Sequence, residues 1–123
     1  MEIKVVSGDI TQVAVDAILV NHFEGVGKPG GATGAVDQAL GGAITQLIQE
    51  GEVKGKLGEV TIIHTLGKIP PKRVAVVGLG KKEAFNLDRA RGCVAEGLRA
   101  LRRTGVGRVA TTHFGAGLGG MEP

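Results

Sequence analysis

Apolar residues along the chain repeat with two different periods. Glu2 to Val6 alternates between apolar and polar positions and reads as a strand, closed by the turn Ser7-Gly8-Asp9. Val15 to Asn21 is a nearly continuous apolar run of strand length, which suits a strand covered on both faces. A polar, glycine-rich loop from His22 to Ala32 follows. Beyond it, Val36, Ala39, Leu40, Ala43, Ile44, Leu47 and Ile48 recur at the spacing of a helical stripe. Thr33 is expected to cap this helix, Gly41 and Gly42 to pack it closely against a sheet, and Gly51 to stop it. Gly58 to His64 and Arg73 to Gly78 read as two more strands, separated by a turn over Gly67 to Pro71. Asn86 is predicted to cap a second helix with Leu87, Ala90, Val94, Leu98 and Leu101 facing inward and its arginines outward. Arg108 to His113 is the last predicted strand. Val5, Ile18, Ile62, Val76 and Val109 lie at the centres of the five strand-like runs and are expected to be buried.

Alternating strands and helices predict an α/β domain over residues 1–123: three layers, with a mixed, mostly parallel sheet and helices on its faces. A sheet of this kind left bare on one side would expose apolar surface, so a helix should follow the last strand. The sequence has none there. The expectation is a domain truncated at its C-terminus, a piece of a longer protein.

Composition narrows the picture. With 123 residues and 42% hydrophobic content the chain can bury one core, which excludes a disordered protein. No apolar run approaches the roughly 20 residues needed to cross a bilayer, and Glu2 and Asp9 stand where a signal peptide would be basic or apolar. A cytoplasmic protein without a membrane partner is expected. Cys93 is the only cysteine, so no internal disulfide or cysteine metal cluster can form. It falls near the buried side of the second helix, where it acts as a small hydrophobe. The net charge of +3 is concentrated in Arg89, Arg91, Arg99, Arg102 and Arg103, read as a solvated helix face. With no Trp or Tyr and three Phe, the chain lacks the stacking platform of a nucleic-acid binder.

The 22 glycines gather at predicted strand ends, where they permit close approach of backbone to a ligand. Lys28 to Val36 is a glycine loop running straight into a helix N-terminus, an arrangement whose free amides and dipole favour an anion. No Gly-Lys-Ser or Gly-Lys-Thr closes it, so it is not a P-loop. Phe114 to Gly120 follows the last strand; spaced as GxGxxG, it stands too near the C-terminus for a dinucleotide-binding unit, and instead suits an amide nest. Asp9 reads either as a turn residue or as an acceptor for an exocyclic amine. Glu24, Asp37, Glu50 and Glu59 have no metal-ligand spacing and read as solvated charges, and His22, His64 and His113 as strand-end side chains.

Gly8-Asp9-Ile10-Thr11, a short gap and Val15-Asp16-Ala17-Ile18 resemble the opening of macro domains, which bind ADP-ribose. That resemblance implies a ligand site at Asp9, Ile10, Gly30, Gly31, Thr33, Gly115, Ala116, Gly117, Leu118 and Gly119, with Asp9 at the adenine amine and the two glycine loops on the diphosphate. One departure matters: Leu19-Val20-Asn21-His22-Phe23 stands where ADP-ribose-processing macro domains carry Asn-Ala-Ala-Asn, and Phe23 replaces the asparagine that orients the ribose and a water. Hydrolysis of ADP-ribosyl groups is therefore not expected.

A longer resemblance runs from about Gly51 to Val109, through Lys54-Gly55-Lys56-Leu57-Gly58-Glu59-Val60-Thr61, His64-Thr65-Leu66-Gly67 and Ile69 to Glu83. It is similar to the N-terminal, macro-like domain of leucyl aminopeptidases. The implied function is a noncatalytic domain of a cytosolic enzyme that releases N-terminal amino acids. The family places two divalent metals, zinc or manganese, in a separate C-terminal peptidase domain and assembles as a homo-oligomer. This chain itself is expected to hold no cofactor and no catalytic residue. The alternative is a free-standing module that binds ADP-ribose or a related nucleotide diphosphate.

Overall fold

The computed structural model describes residues 1–112. Five strands, β1 (Glu2–Val5), β2 (Ala17–His22), β3 (Val60–His64), β4 (Arg73–Gly78) and β5 (Arg108–Thr111), form one sheet in the order β1-β5-β2-β4-β3. Only β3 runs antiparallel to its neighbour, pairing Ile62 with Ala75 of β4. The other four are parallel, so the loops after β1, β5, β2 and β4 all leave from one rim. Helices α1 (Gly31–Ala39) and α2 (Ala43–Gln49) cover one face, and α3 (Leu87–Arg102) covers the other.

The continuous apolar runs make sense in this sandwich. Ile18 and Val20 of β2, with Val74 and Val76 of β4, pack toward Val36, Leu40 and Ile44. Their alternates Ala17, Leu19, Ala75 and Val77 pack toward Cys93 and Leu101. Successive strand side chains point to opposite faces, so a strand with helices on both sides must be apolar throughout. Cys93 is buried as expected; its thiol donates to the Gly78 carbonyl at 3.3 Å, and burial raises its pKa.

Six expectations are corrected. The long helix is two helices, because Gly41 and Gly42 take left-handed backbone at φ 70° and 86° and break it. Neither glycine packs against the sheet: a side chain there would meet at most the Lys68 ammonium, 3.9 Å away. The break is sealed by Asp37, whose carboxylate accepts from the Thr45 amide at 2.9 Å and hydroxyl at 2.6 Å, so this residue is buried rather than a solvated charge. Val5 is 54% exposed, since β1 is an edge strand with no described layer over either face. Ile62, on the opposite edge, is half-buried. Leu87, predicted inward, is 54% exposed on the first turn of α3. Asn86 caps that helix as predicted, its side chain accepting from the Arg89 amide at 2.9 Å.

Candidate functional site

The rim carrying the carboxyl ends of the parallel strands is where ligands collect in α/β sheets. Asp9 lies there, four residues beyond the end of β1. Its Oδ1 accepts from the amide of Thr11 at 2.9 Å and from the Thr11 hydroxyl, capping a 3-10 turn over Ile10–Gln12. The two donors, the hydroxyl first, hold the Asp9 carboxyl below its ordinary pKa. Asp9 is therefore a turn residue in geometry, and it remains exposed. A groove of 440 Å³ runs from Asp9 and Thr11 to Ala35, Gln38 and Ala39 of α1. Ile10 points the other way. It is 1% exposed and anchors the turn in the core, which leaves it no side-chain surface for a ligand.

The second predicted group stands at the start of α1, about 6 Å up the helix from Ala35 at 1.5 Å per residue. Gly30, not Thr33, is the N-cap, and no side chain caps the end. The amides of Gly31, Ala32 and Thr33 have no intrahelical acceptor, since the first such bond is from Gly34 to the Gly30 carbonyl. No acidic residue lies in the first turn to repel an anion. Gly31 has φ 56°, and a side chain built on Gly30 or Gly31 would meet nothing within 4 Å. Thr33 is buried. Its hydroxyl donates to the Asn21 carbonyl at 2.6 Å, and Asn21 N–H donates to it at 3.3 Å, so it pins the helix start to the end of β2. The structure thus sets Asp9 and Thr11 beside Ala35, Gln38 and Ala39 of α1, leaves Gly30 and Gly31 open at the helix start, and buries Ile10 and Thr33. Gly115, Ala116, Gly117, Leu118 and Gly119, with His113, lie outside the described residues.

Phe23 stacks edge-on against Phe85, with ring centroids 5.2 Å apart, so the side chain where an asparagine would orient a ribose is spent on packing. Lys82 sits over the same ring at 5.8 Å. His22 ends β2 and His64 ends β3, as predicted; the buried His22 ring bonds through Nε2 to the Val26 carbonyl at 2.8 Å, bracing the glycine loop. Among the described residues, no three His, Cys, Asp or Glu side chains stand close enough to share a metal ion.

Sequence reasoning missed two carboxylates. Asp16 Oδ2 accepts from the amides of Arg108 at 2.8 Å and Gly107 at 2.9 Å, tying the start of β2 to the start of β5 and, through these donors, lowering its pKa. No local signal marks partners more than ninety residues away. Glu59 Oε1 accepts from the Lys54 and Gly55 amides, holding the loop that enters β3. The paired Gly41-Gly42 followed by Thr45 did carry a signal for the helix break that Asp37 seals.

The model of the cytosol aminopeptidase family, N-terminal domain, matches residues 19–114. A probable cytosol aminopeptidase of Alkaliphilus metalliredigens is 37% identical over 115 residues, covering 94% of this chain and 23% of that protein. One of Geobacter sulfurreducens is 39% identical over 119 residues, covering 96% and 24%. The chain spans about a quarter of the length of these relatives. Among solved structures, the Trypanosoma brucei macrodomain in complex with ADP superposes with a TM-score of 0.75 at 20% identity, covering 99% of this chain and 50% of that one, a likeness of fold. On a macrodomain fold, this chain belongs to the cytosol aminopeptidase family as its N-terminal domain.

Proposed function

We propose that this chain is the noncatalytic, regulatory or assembly domain of a cytosolic, metal-dependent leucyl aminopeptidase. The observation that carries this reading is the length ratio: relatives aligned over 94% and 96% of this chain are about four times as long. The work of peptide hydrolysis falls to a C-terminal domain in cis holding two divalent metals, zinc or manganese, and the parent releases N-terminal amino acids within a homo-oligomer. A hydrolytic two-metal site needs several carboxylates converging on the ions. Among the described carboxylates, Asp9, Asp16, Asp37 and Glu59 each accept from backbone amides of their own segment or a neighbouring strand, while Glu2, Glu50, Asp88 and Glu96 pair with side chains. The purified chain should release no leucine from a leucyl amide, with or without added manganese or zinc. Metal-stimulated release would overturn the reading.

A second reading is supported by the rim: the uncapped start of α1, the exposed Asp9 and the groove beside Asp9 favour a nucleotide diphosphate, and the macrodomain with a similar fold is a complex with ADP. In this reading Asp9 takes the adenine end, the amides at Gly30 to Thr33 take the diphosphate, and the segment Gly115 to Gly119 closes the site. Binding is weak, because Phe23 replaces a hydrogen bond worth about 0.5–1.5 kcal/mol, up to about tenfold in affinity. Calorimetry with ADP-ribose decides it. Heat that vanishes in Gly31→Val supports the site; silence at millimolar ligand leaves the scaffold reading alone, and binding unchanged in Gly31→Val places the site elsewhere.

A further inference from the structure

The buried histidine at the end of β2 has one ring nitrogen that the fold does not use. His22 is 4% exposed, and strand alternation puts it on the face of Ile18 and Val20, toward α1 and α2. Its Nε2 lies 2.8 Å from the Val26 carbonyl. A carbonyl oxygen only accepts, so Nε2 carries a proton and the neutral ring keeps a lone pair on Nδ1. Nδ1 has no partner among the described residues, and none of their side-chain nitrogens is both sealed from solvent and unpartnered. This atom is therefore reached from a cavity.

That cavity, of 300 Å³, is lined by His22, by Gly25, Val26 and Gly27 of the glycine loop, by Ile48 at the end of α2, and by Val53 and Lys54. It shares no lining residue with the groove beside Asp9. Its chemistry is divided three ways. Val26, Ile48 and Val53 supply an apolar wall. The amides of Gly25 and Gly27 have no acceptor, and the Lys54 ammonium no ion-pair partner, among the described residues. The backbone of Lys54 is nevertheless fixed, its amide donating to Glu59 Oε1 at 2.8 Å. Opposite these donors, Nδ1 of the neutral His22 ring is an acceptor.

We propose that this cavity binds a free apolar α-amino acid. The ligand's ammonium donates to His22 Nδ1, its carboxylate meets the Lys54 ammonium and the loop amides, and its side chain lies against Ile48 and Val53. The other ligand classes each leave a group unsatisfied. A simple anion would set negative charge against the Nδ1 lone pair, a cation would face Lys54, and a hydrocarbon would cover Nδ1 without a donor. A zwitterion with an apolar side chain meets all three demands. The site itself rests on the cavity and on neither functional reading; on the reading of an enzyme that releases N-terminal amino acids, it puts a product sensor on the noncatalytic domain.

Calorimetric titration of this 123-residue chain with L-leucine tests the proposal. Saturable binding is expected with Kd on the order of 1 mM. N-acetyl-leucine, leucinamide and glycine lack in turn the ammonium, the carboxylate and the apolar side chain, and each should bind at least about fivefold more weakly. Lys54→Gln, at an exposed position, should weaken leucine about fivefold or more and move Tm by less than about 2 °C. His22→Gln keeps an amide donor for the Val26 carbonyl and removes the Nδ1 acceptor, so it should erase the preference for leucine over N-acetyl-leucine. A purely structural role for His22 would leave that preference unchanged. No saturation by leucine at about 10 mM would overturn the proposal. So would equal binding of N-acetyl-leucine, or displacement of leucine by an equal concentration of inorganic phosphate, which makes the cavity a plain anion site. Leucinamide binding as tightly as leucine would also overturn it, by assigning the cavity to a peptide N-terminus. Leucine release from an amide and ADP-ribose binding are separate readouts, so failure of either functional reading leaves this outcome interpretable.

Discussion

Two glycine-rich regions that look alike in sequence sit in opposite surroundings. At Gly30 and Gly31 the backbone faces open space, and the only demand is conformational, at Gly31 with its positive φ. At Gly78 the loop that enters β3 lies directly on the end of β4. A methyl group there would overlap the Lys56 carbonyl oxygen and sit 2.6 Å from the Gly55 carbonyl carbon. Gly97 is the helical counterpart, where α3 approaches β2 so closely that a methyl would overlap a terminal carbon of Leu19. The first region has room for a molecule from outside; the second is filled by the protein. Glycine clustering at strand ends therefore marks close approach, and only the surroundings tell whether a ligand or the chain itself does the approaching.

The largest effect that separates the two regions is expected from Gly78→Ala. Its clash is with backbone, which cannot move aside as a side chain can, so urea denaturation should show a loss of about 3 kcal/mol or failure to fold. Gly30→Ala, with nothing to strike and an extended φ of −120°, should stay within about 0.5 kcal/mol. A Gly78→Ala midpoint equal to that of Gly30→Ala would break the comparison.

Gly97→Ala should cost about 1–3 kcal/mol, as overpacking does. Here the obstacle is a side chain, so trimming it should help: a double-mutant cycle with Leu19→Ala should show coupling of at least about 0.5 kcal/mol in the favourable direction. Strict additivity would mean that the helix shifts instead.

At Gly31 only strain operates, and Gly31→Ala should cost about 1–2 kcal/mol through its left-handed backbone. Gly31→Asn, which tolerates that region better, should recover most of it in the same denaturation series. Equal losses for the two would mean that space, not conformation, limits the site.

The smallest effect is on acid stability. Asp9 and Asp16 both have lowered pKa values in the folded chain, from the Thr11 hydroxyl and amide and from the Arg108 and Gly107 amides respectively. The unfolded state takes up protons first, near the ordinary aspartate value of about 3.9. Their contribution is thus complete above that pH and is lost as pH falls through the lowered folded values. Thermal melts should show Asp16→Ala and the unaltered chain converging as pH falls below the ordinary aspartate value of about 3.9, and a constant difference down to about pH 2 would exclude the tie between β2 and β5 as its source.

Much of the fold was legible because it is written in local periods. Continuous apolar runs at Val15 to Asn21 and Arg73 to Gly78 gave the two central strands, and the Asn86 cap and its stripe gave α3, within a residue or two. The strand edges were less legible. Val5 sits in as apolar a segment as Val109, and the alternation along a strand does not say whether a neighbour lies over it. At the site, the motif placed Asp9 and Gly30–Gly31 on the rim, but it could not separate residues that face a ligand from those that hold the rim together. Thr33 and Ile10 belong to the second group, and that distinction depends on Asn21 and the core around Val36, which are distant in sequence.

The sequence by itself determined the α/β class, the order of its strands and the family, because periodicity, capping and short motifs act over a few residues and survive without knowledge of the rest. Only the tertiary structure decided which glycines are open and which are packed, that Asp16 joins residues 107 and 108, and that β1 and the outer side of α3 stay uncovered. Each of these is set by segments brought together from far along the chain, where contact is a property of the whole sheet order and not of any window of residues.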